Sequence, residues 1–358
     1  LIADGSDIAY FDVAVVDKDG NTCPLAYDKI NLSLNGEAVD VIFGDDTHKQ
    51  IPLHTLNGIV SFSYKGASPA LMGKCAEAGI LISFFTPYGK YLCDTGSCTS
   101  GNVYLRRTQF RWADDEAKRL SIVKNMIIGK LYNSKYLILH YMRDHPLQTD
   151  CEKIRLAADR IGTYLEAIKA ADDSDSIRGI EGNAAAEYFG VFNELILQNK
   201  NVFSFDRRSR RPPTDPVNCL LSFAYSLLTN ECSAGLRSVG LDPFVGLMHT
   251  DRPGRCSLSL DMMEELRPVF ADRFVLTLIN NRIVNEKSFT YMDNGAVILN
   301  DDARKRFIYE WQAKKREEVI HPFLKEKIQW GLVPYVQALL ISRLMRGDLD
   351  GYPPFLKK

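Results

Sequence analysis

The chain changes its hydrophobic period once, near Arg106, and that change limits what it can fold into. Before it, apolar and polar residues alternate in 8-IAYFDVAVVDKDGN-21, 30-INLSLNGEAVDVIF-43, 58-GIVSFSY-64 and 80-ILISFFTPYGKYL-92. This is the two-residue period of strands, punctuated by turn residues. One helix interrupts: Ser68 can cap 68-SPALMGKCAEAG-79, Pro69 stands at its first helical position and Gly79 closes it. Beyond about residue 110 the helical period takes over. It runs through 113–144, where acids lead and bases follow, then 151–170, 183–197, 217–240, 259–284, 301–318 and 323–346. Segment 171–176 reads as a loop and 347–358 as a frayed tail. The expected fold class is α+β: a small N-terminal β-sandwich-like domain over 1–100, a linker at 101–112, and a larger all-α domain over 113–358.

Composition serves mainly to exclude. With 46% hydrophobic residues among 358, the chain can build real cores. A net charge of -1 means that any surface for a polyanion must be local. The eight cysteines form no CxxC pair, and the nearest approach, 93-CDTGSC-98, is a poor zinc spacing. Scattered thiols fit a reducing compartment, so a cytoplasmic location is expected. No signal peptide and no apolar run long enough to span a bilayer is read, so no membrane partner is expected.

Three stretches carry chemistry. In 249-HTDRPGRCSLSLDMMEELRP-268, His249 opens a basic loop, and Asp261 and Glu264 follow three residues apart on one helix face. The plain alternative is a structural imidazole beside a solvated acidic face, whereas an imidazole with carboxylates suits a hard or borderline divalent ion. In 178-RGIEGNAAAEYF-189, Glu181 stands between Gly179 and Gly182 just before an alanine-rich helix. It is either a helix cap or a ligand in a special turn. In 206-DRRSRRPPTDP-216, Arg207, Arg208, Arg210 and Arg211 crowd a proline-terminated loop, with Arg252 and Arg255 beside His249. Guanidinium forks match phosphate, although such loops also serve only as solvated linkers. The helix from 113 adds bases along its length, Lys130 among them. Carboxylates and an imidazole inside a basic surround suit metal-assisted phosphodiester chemistry.

In order along the chain, 51-IPLHTLNGIVSF-62, 66-GASPALMGKCAEAGILISFF-85, 101-GNVYLRRTQF-110, 178-RGIEG-182, 211-RPPTDPVNCLLSFAYSLL-228, 240-GLDPFVGLMHTDRPGRCSLSLDMMEELRP-268 and 327-KIQWGLVPYVQALLISRLMRGD-348 resemble the CRISPR-associated adaptation integrase, the universal first Cas protein. The resemblance covers about Ile51 to Leu349. It implies a β domain followed by a helical metal-binding domain. It also implies that Glu181, His249 and Glu264 bind Mn²⁺ or Mg²⁺, with Asp261 as a supporting or alternative ligand. The implied reaction joins the 3′-hydroxyl of a short protospacer DNA to a CRISPR repeat by transesterification, with double-stranded DNA held at the arginines. The implied assembly is a homodimer, paired with a second by a small ferredoxin-like Cas partner into a heterohexamer. A Cas exonuclease carrying an iron–sulfur cluster often assists such systems.

Residues 1–38 depart from that pattern and instead resemble the immunoglobulin-like domain of family-2 β-galactosidases, through an Ala-Asp-Gly opening and a Val-Asp-x-Asp-Gly-Asn turn. Two other functions compete with integration. One is a structure-selective, metal-dependent repair nuclease that uses water in place of the 3′-hydroxyl. The other is a non-catalytic DNA-binding scaffold.

Overall fold

The structure is a computed structural model that describes residues 8–11, 31–35, 38–42, 48–53, 56, 58–61, 66–86, 91–95, 103–210 and 212–357. The chain divides into two compact units. The first comprises Leu1–Ser100 with Asn300–Arg316, and the second Gly101–Leu299 with Glu317–Lys358.

In the first unit, β1 (Ile8–Phe11) pairs in parallel with β5 (Gly58–Ser61), β5 in parallel with β6 (Leu81–Phe85), and β6 antiparallel with β7 (Tyr91–Asp94). A separate antiparallel meander joins β2 (Asn31–Asn35), β3 (Ala38–Ile42) and β4 (His48–Pro52). The parallel pairings require a crossover, and α1 (Pro69–Glu77) supplies the one between β5 and β6. It begins and ends as its sequence dictates: Ser68 Oγ accepts the Leu71 backbone N–H, and Gly79 takes φ +72°. Its buried face, Leu71 and Cys75, packs in a core with Leu53, Leu56, Ile59, Ile80, Ile82 and Phe84. A mixed sheet with a crossover helix thus stands where alternation alone led to a β-sandwich. The Asp-Gly turn near residue 19 lies outside the described residues.

The second unit is helical. It contains α2 (Val103–Asp114), α3 (Glu116–Asp144), α4 (Cys151–Ala170), α5 (Ser174–Gly190), α6 (Pro216–Ser238), α7 (Ser257–Leu266), α8 (Arg273–Asn280) and α10 (Val333–Met345). Helix α9 (Asp301–Arg316) groups with the first unit. Residues 103–112 are therefore helical, in place of the expected linker. Two hairpins, β8 (Phe289–Tyr291) with β9 (Val297–Leu299) and β10 (Glu318–Ile320) with β11 (Lys327–Gln329), interrupt what periodicity read as helix or loop. Helix α6 is buried on nearly every face, and Gly235 brings it against α10: a Cβ there would lie 2.9 Å from the Pro334 carbonyl oxygen. Between α7 and α8 the backbone passes through a π-helical turn, Arg267–Asp272, which contains Pro268. Proline has no N–H to donate and cannot continue an α-helical ladder unbroken.

The tail is not frayed. Tyr352 and Phe355 are buried, and Asn133 Nδ2 donates to the Glu265 and Phe355 carbonyls at 2.7 Å each. The six described cysteines are free thiols. Among the described residues no helix is long and apolar enough to cross a membrane.

Candidate active site

Four segments of the helical unit build the site: α3, α5, α7 and the loop between α6 and α7. Helix α5 starts earlier than its sequence suggests, because Asp173 caps it by accepting the backbone N–H groups of Asp175 and Ser176. Glu181 is accordingly a mid-helix residue and neither a cap nor part of a turn. Gly179 and Gly182 stay helical, and a Cβ on either would meet nothing within 4 Å. Each glycine has open space where a Cβ would stand.

The loop that carries His249 is held from both ends. Buried Gln109 of α2 donates to the carbonyls of Asp242 (2.7 Å) and Val245 (3.2 Å) and accepts from the Asp242 N–H at 2.9 Å. From α7, Asp261 Oδ2 accepts the N–H groups of Leu247 (2.6 Å) and Met248 (2.9 Å), while Oδ1 accepts that of His249 (3.0 Å). The same Oδ1 lies 2.5 Å from His249 Nδ1. Asp261 is 1% exposed, and its oxygens are taken up by the loop and the ring. Its place is therefore behind the imidazole, where it fixes the orientation of the ring. Arg178 of α5 reaches the Met248 carbonyl at 3.3 Å and ties the Glu181 helix to this loop.

Glu264 lies one helical turn beyond Asp261. Arg267 Nη1 bonds both of its oxygens, at 2.7 and 2.9 Å, and Lys130 Nζ of α3 lies 2.6 Å from Oε2. Burial alone would raise this carboxyl. The Arg267 guanidinium and the Lys130 ammonium outweigh burial, and His249 adds to them, so the group is held well below the usual carboxylate range. The same Lys130 ammonium also bonds Glu181 Oε1. Two carboxylates from two helices thus converge on one cation position. His249 is near enough to act on Glu264 electrostatically. Among the described residues, however, no three His, Cys, Asp or Glu side chains are gathered tightly enough to form a closed metal cage.

Beneath the site, a cavity is lined by Lys130, Ser134, Tyr188, Tyr225, Arg267 and Asp272, among others. Tyr225 and Tyr188 donate to Asp272 at 2.5 and 2.9 Å, and burial raises the Asp272 carboxyl. The Tyr225 ring lies 4.2 Å from the Arg267 guanidinium carbon and 5.1 Å from that of Arg208.

The expected DNA-binding arginines divide. Arg208 turns inward: Nη1 donates to Asn218 Oδ1 and the Ser209 carbonyl, and Nη2 donates to Ser222 Oγ at 3.0 Å. Its fork is committed to fixing the loop on α6, which corrects its assignment to phosphate. Arg207, Arg210 and Arg252 are exposed, Arg255 is half-buried, and Arg211 lies outside the described residues. Sequence reasoning gave no special place to Lys130, Arg267, Gln109 or the Tyr188–Asp272–Tyr225 cluster. Only Arg267 left a local signal, a base three residues after Glu264 on the same helix face.

Comparison with known proteins shows the family of the chain. Residues 25–313 match the family model described as CRISPR associated protein Cas1. That match begins inside the segment that resembles a galactosidase domain, so 25–38 belong with the rest of the chain. The chain is 45% identical over 325 residues to the CRISPR-associated endonuclease Cas1 1 of Chlorobaculum tepidum, covering 91% of this chain and 95% of that protein. It is 43% identical to the CRISPR-associated endonuclease Cas1 2 of Rhodospirillum rubrum, covering 94% and 98%. A Cas4 exonuclease/Cas1 endonuclease fusion from Rhodospirillum rubrum is 35% identical, over 74% of this chain and 45% of the fusion. The fold is shared with a casposase bound to integration product, at TM-score 0.80 and 22% identity over 92% of each chain. It is also shared with a Cas6-RT-Cas1–Cas2 complex, at TM-score 0.76 and 21% identity over 92% of this chain and 35% of that one. The chain belongs to the CRISPR-associated protein Cas1 family.

Proposed function

We propose that this chain is the endonuclease and integrase of CRISPR adaptation, and that it inserts short protospacer DNA into the repeat array by transesterification. The 3′-hydroxyl oxygen forms a new bond to phosphorus, the existing P–O bond at the repeat end breaks, and the proton of the attacking hydroxyl ends on the departing oxygen. Phosphodiesters are conserved, so no external energy source is required. The observation that carries this reading is the convergence of Glu181 and Glu264 on one cation position beside an imidazole oriented by Asp261. Oxygen ligands with one imidazole fit Mn²⁺ or Mg²⁺. Glu181, His249 and Glu264 would hold the ion, with Asp261 setting the ring rather than bonding the metal. When bound, the metal supplies Lewis-acid polarisation of the phosphoryl oxygen. Arg267 keeps Glu264 ionised and aimed, and the open space at Gly182, the residue after Glu181, leaves room for a DNA strand to approach. Arg207, Arg210, Arg211, Arg252 and Arg255 bind backbone phosphates, which position DNA without specifying its sequence.

The finer assembly follows the same reading: a homodimer, joined by a small ferredoxin-like Cas2 partner into a heterohexamer in the cytoplasm. The fusion of an exonuclease to a related chain supports an iron–sulfur exonuclease as a helper. A strand-transfer assay tests the proposal. It combines the protein, its Cas2 partner, a duplex with free 3′-hydroxyls and a leader–repeat plasmid, with Mn²⁺ or with EDTA. Joined products that require metal and vanish in His249→Ala are expected. Metal-dependent cutting without joining would replace integration by repair-type hydrolysis. DNA binding that is indifferent to EDTA, with neither cutting nor joining, would leave a scaffold.

A further inference from the structure

We infer that Lys130 is a resident counter-cation of the carboxylate pair, occupying the position the divalent ion takes and leaving it when the ion binds. The inference rests on the proposed metal role of Glu181 and Glu264. Lys130 comes from the middle of α3, where Gly129 lets the helix lie against α7: a Cβ at that glycine would be 2.9 Å from the Glu265 Cβ. This close approach brings a lysine stem under two acids that belong to other helices. The side chains of Lys130, Glu181 and Glu264 are 13%, 20% and 7% exposed, so water screens their charges little.

The charges then decide the matter. Without metal, Glu181 and Glu264 face Lys130 and Arg267, and these four charges balance. Without Lys130, the two acids would repel each other in a poorly screened site. With a divalent ion added and Lys130 still in place, those four groups and the ion together would carry an excess of two positive charges around one small volume. One cation has to leave. Arg267 is fixed by Nη1, which bonds both oxygens of Glu264, and by its packing over the Tyr225 ring. Lys130 is a single ammonium on a flexible four-carbon stem. Lys130 therefore keeps the ligands together before metal arrives and sets a threshold that the metal must overcome.

Two measurements that do not read activity test this. The first titrates Mn²⁺ calorimetrically into wild type and Lys130→Met, with thermal denaturation of each protein with and without metal. The variant is expected to bind Mn²⁺ about tenfold more tightly or better, because no ammonium competes. Its metal-free melting temperature should fall, and Mn²⁺ should raise it more than it raises that of wild type. Equal or weaker Mn²⁺ binding by a folded variant overturns the inference. The second uses the wild type alone and remains decisive should the variant not fold. Acetic anhydride labelling of Lys130, read by mass spectrometry against exposed Lys200, should accelerate on adding Mn²⁺. Unchanged or slower labelling overturns the inference while leaving the metal site intact. Failure of the wild type to bind Mn²⁺ at all would instead overturn the metal reading, and the role of Lys130 with it.

Discussion

Oδ1 of Asp261 lies 2.5 Å from His249 Nδ1 and 3.0 Å from the backbone nitrogen of the same residue, so one carboxylate oxygen fixes both the ring and the chain that carries it. Asp261→Asn keeps the shape but offers one oxygen where the loop and ring use two. The amide nitrogen must then face a donor. The variant is expected to lose about 1–3 kcal/mol of stability and about 10- to 100-fold in metal affinity. Urea denaturation and Mn²⁺ titration check the two effects separately.

Gly246 stands where the loop folds back on α7. A Cβ there would lie 2.5 Å from the Ser257 Cβ and 2.6 Å from the His249 carbonyl oxygen, neither of which can swing aside. Gly246→Ala is expected to destabilise by about 1–3 kcal/mol and to displace His249. Strand transfer, measured where the variant is still fully folded, should fall at least about tenfold, the response to a misplaced catalytic group.

The arginine loop should divide into two kinds of variant. Arg207→Ala with Arg210→Ala removes exposed charge, so DNA affinity should weaken with little change in stability. The slope of log affinity against log salt should shrink by about 2 if both meet phosphates. Arg208→Ala strips partners from Asn218 and Ser222 and should instead cost about 1–3 kcal/mol of stability. Filter binding across a salt series, run beside thermal melts, distinguishes them.

Glu265, next to the proposed ligand Glu264, is buried among the tail residues. Burial pushes its carboxyl from 4.5 up to about 7, against the donors Tyr352, Gln337 and the Phe355 N–H. The folded state therefore keeps a proton that the unfolded chain releases near pH 4.5. The stability this gives is fully present below about 4.5 and is lost as pH rises through about 7, a change of about 3 kcal/mol. Glu264 has the opposite sign: its contribution is present above about 4.5 and is lost as pH falls below that value. Urea denaturation from about pH 4.5 to 8 should show a smaller decline in Glu265→Gln than in wild type. Taking the difference between the two proteins removes His140 and His321, whose values burial lowers in both. Parallel curves for the two proteins would contradict the assignment.

Local signals carried the sequence reading where the structure is local. The Ser68, Pro69 and Gly79 pattern marked α1 to within a residue or two, and the 151–170 periodicity matches α4. The same reasoning failed where a local signal had two meanings. The glycines around Glu181 read as a turn, yet the capping of α5 by Asp173 overrides them and keeps them helical. Segment 323–346 reads as one helix because its apolar residues fit that period, although its first part pairs as β11 with β10. Lys130 was one base among several on a long helix. Its meeting with Glu181 and Glu264 depends on the packing of three helices separated by 51 and 134 positions in sequence. The tail looked unstructured because 347-GDLDGYPPFLKK-358 has no period, and the side chains that anchor it, Asn133 and Glu265, lie far back in the chain.

The π-helical turn at Arg267–Asp272 has a consequence for insertions and deletions. Such a turn holds about one residue more than an α-helix would fit in the same span. Removing Pro268 itself would restore an uninterrupted helix from Ser257 to Asn280, so that deletion should fold without difficulty at the level of backbone. It would also rotate everything after it by about 100° about the helix axis. Asp272 would turn away from Tyr188 and Tyr225, while Asp261 and Glu264 stayed in place. Relatives of different length in this segment would then keep the same acids but lose their shared foundation, and a single-residue gap would matter more than many substitutions.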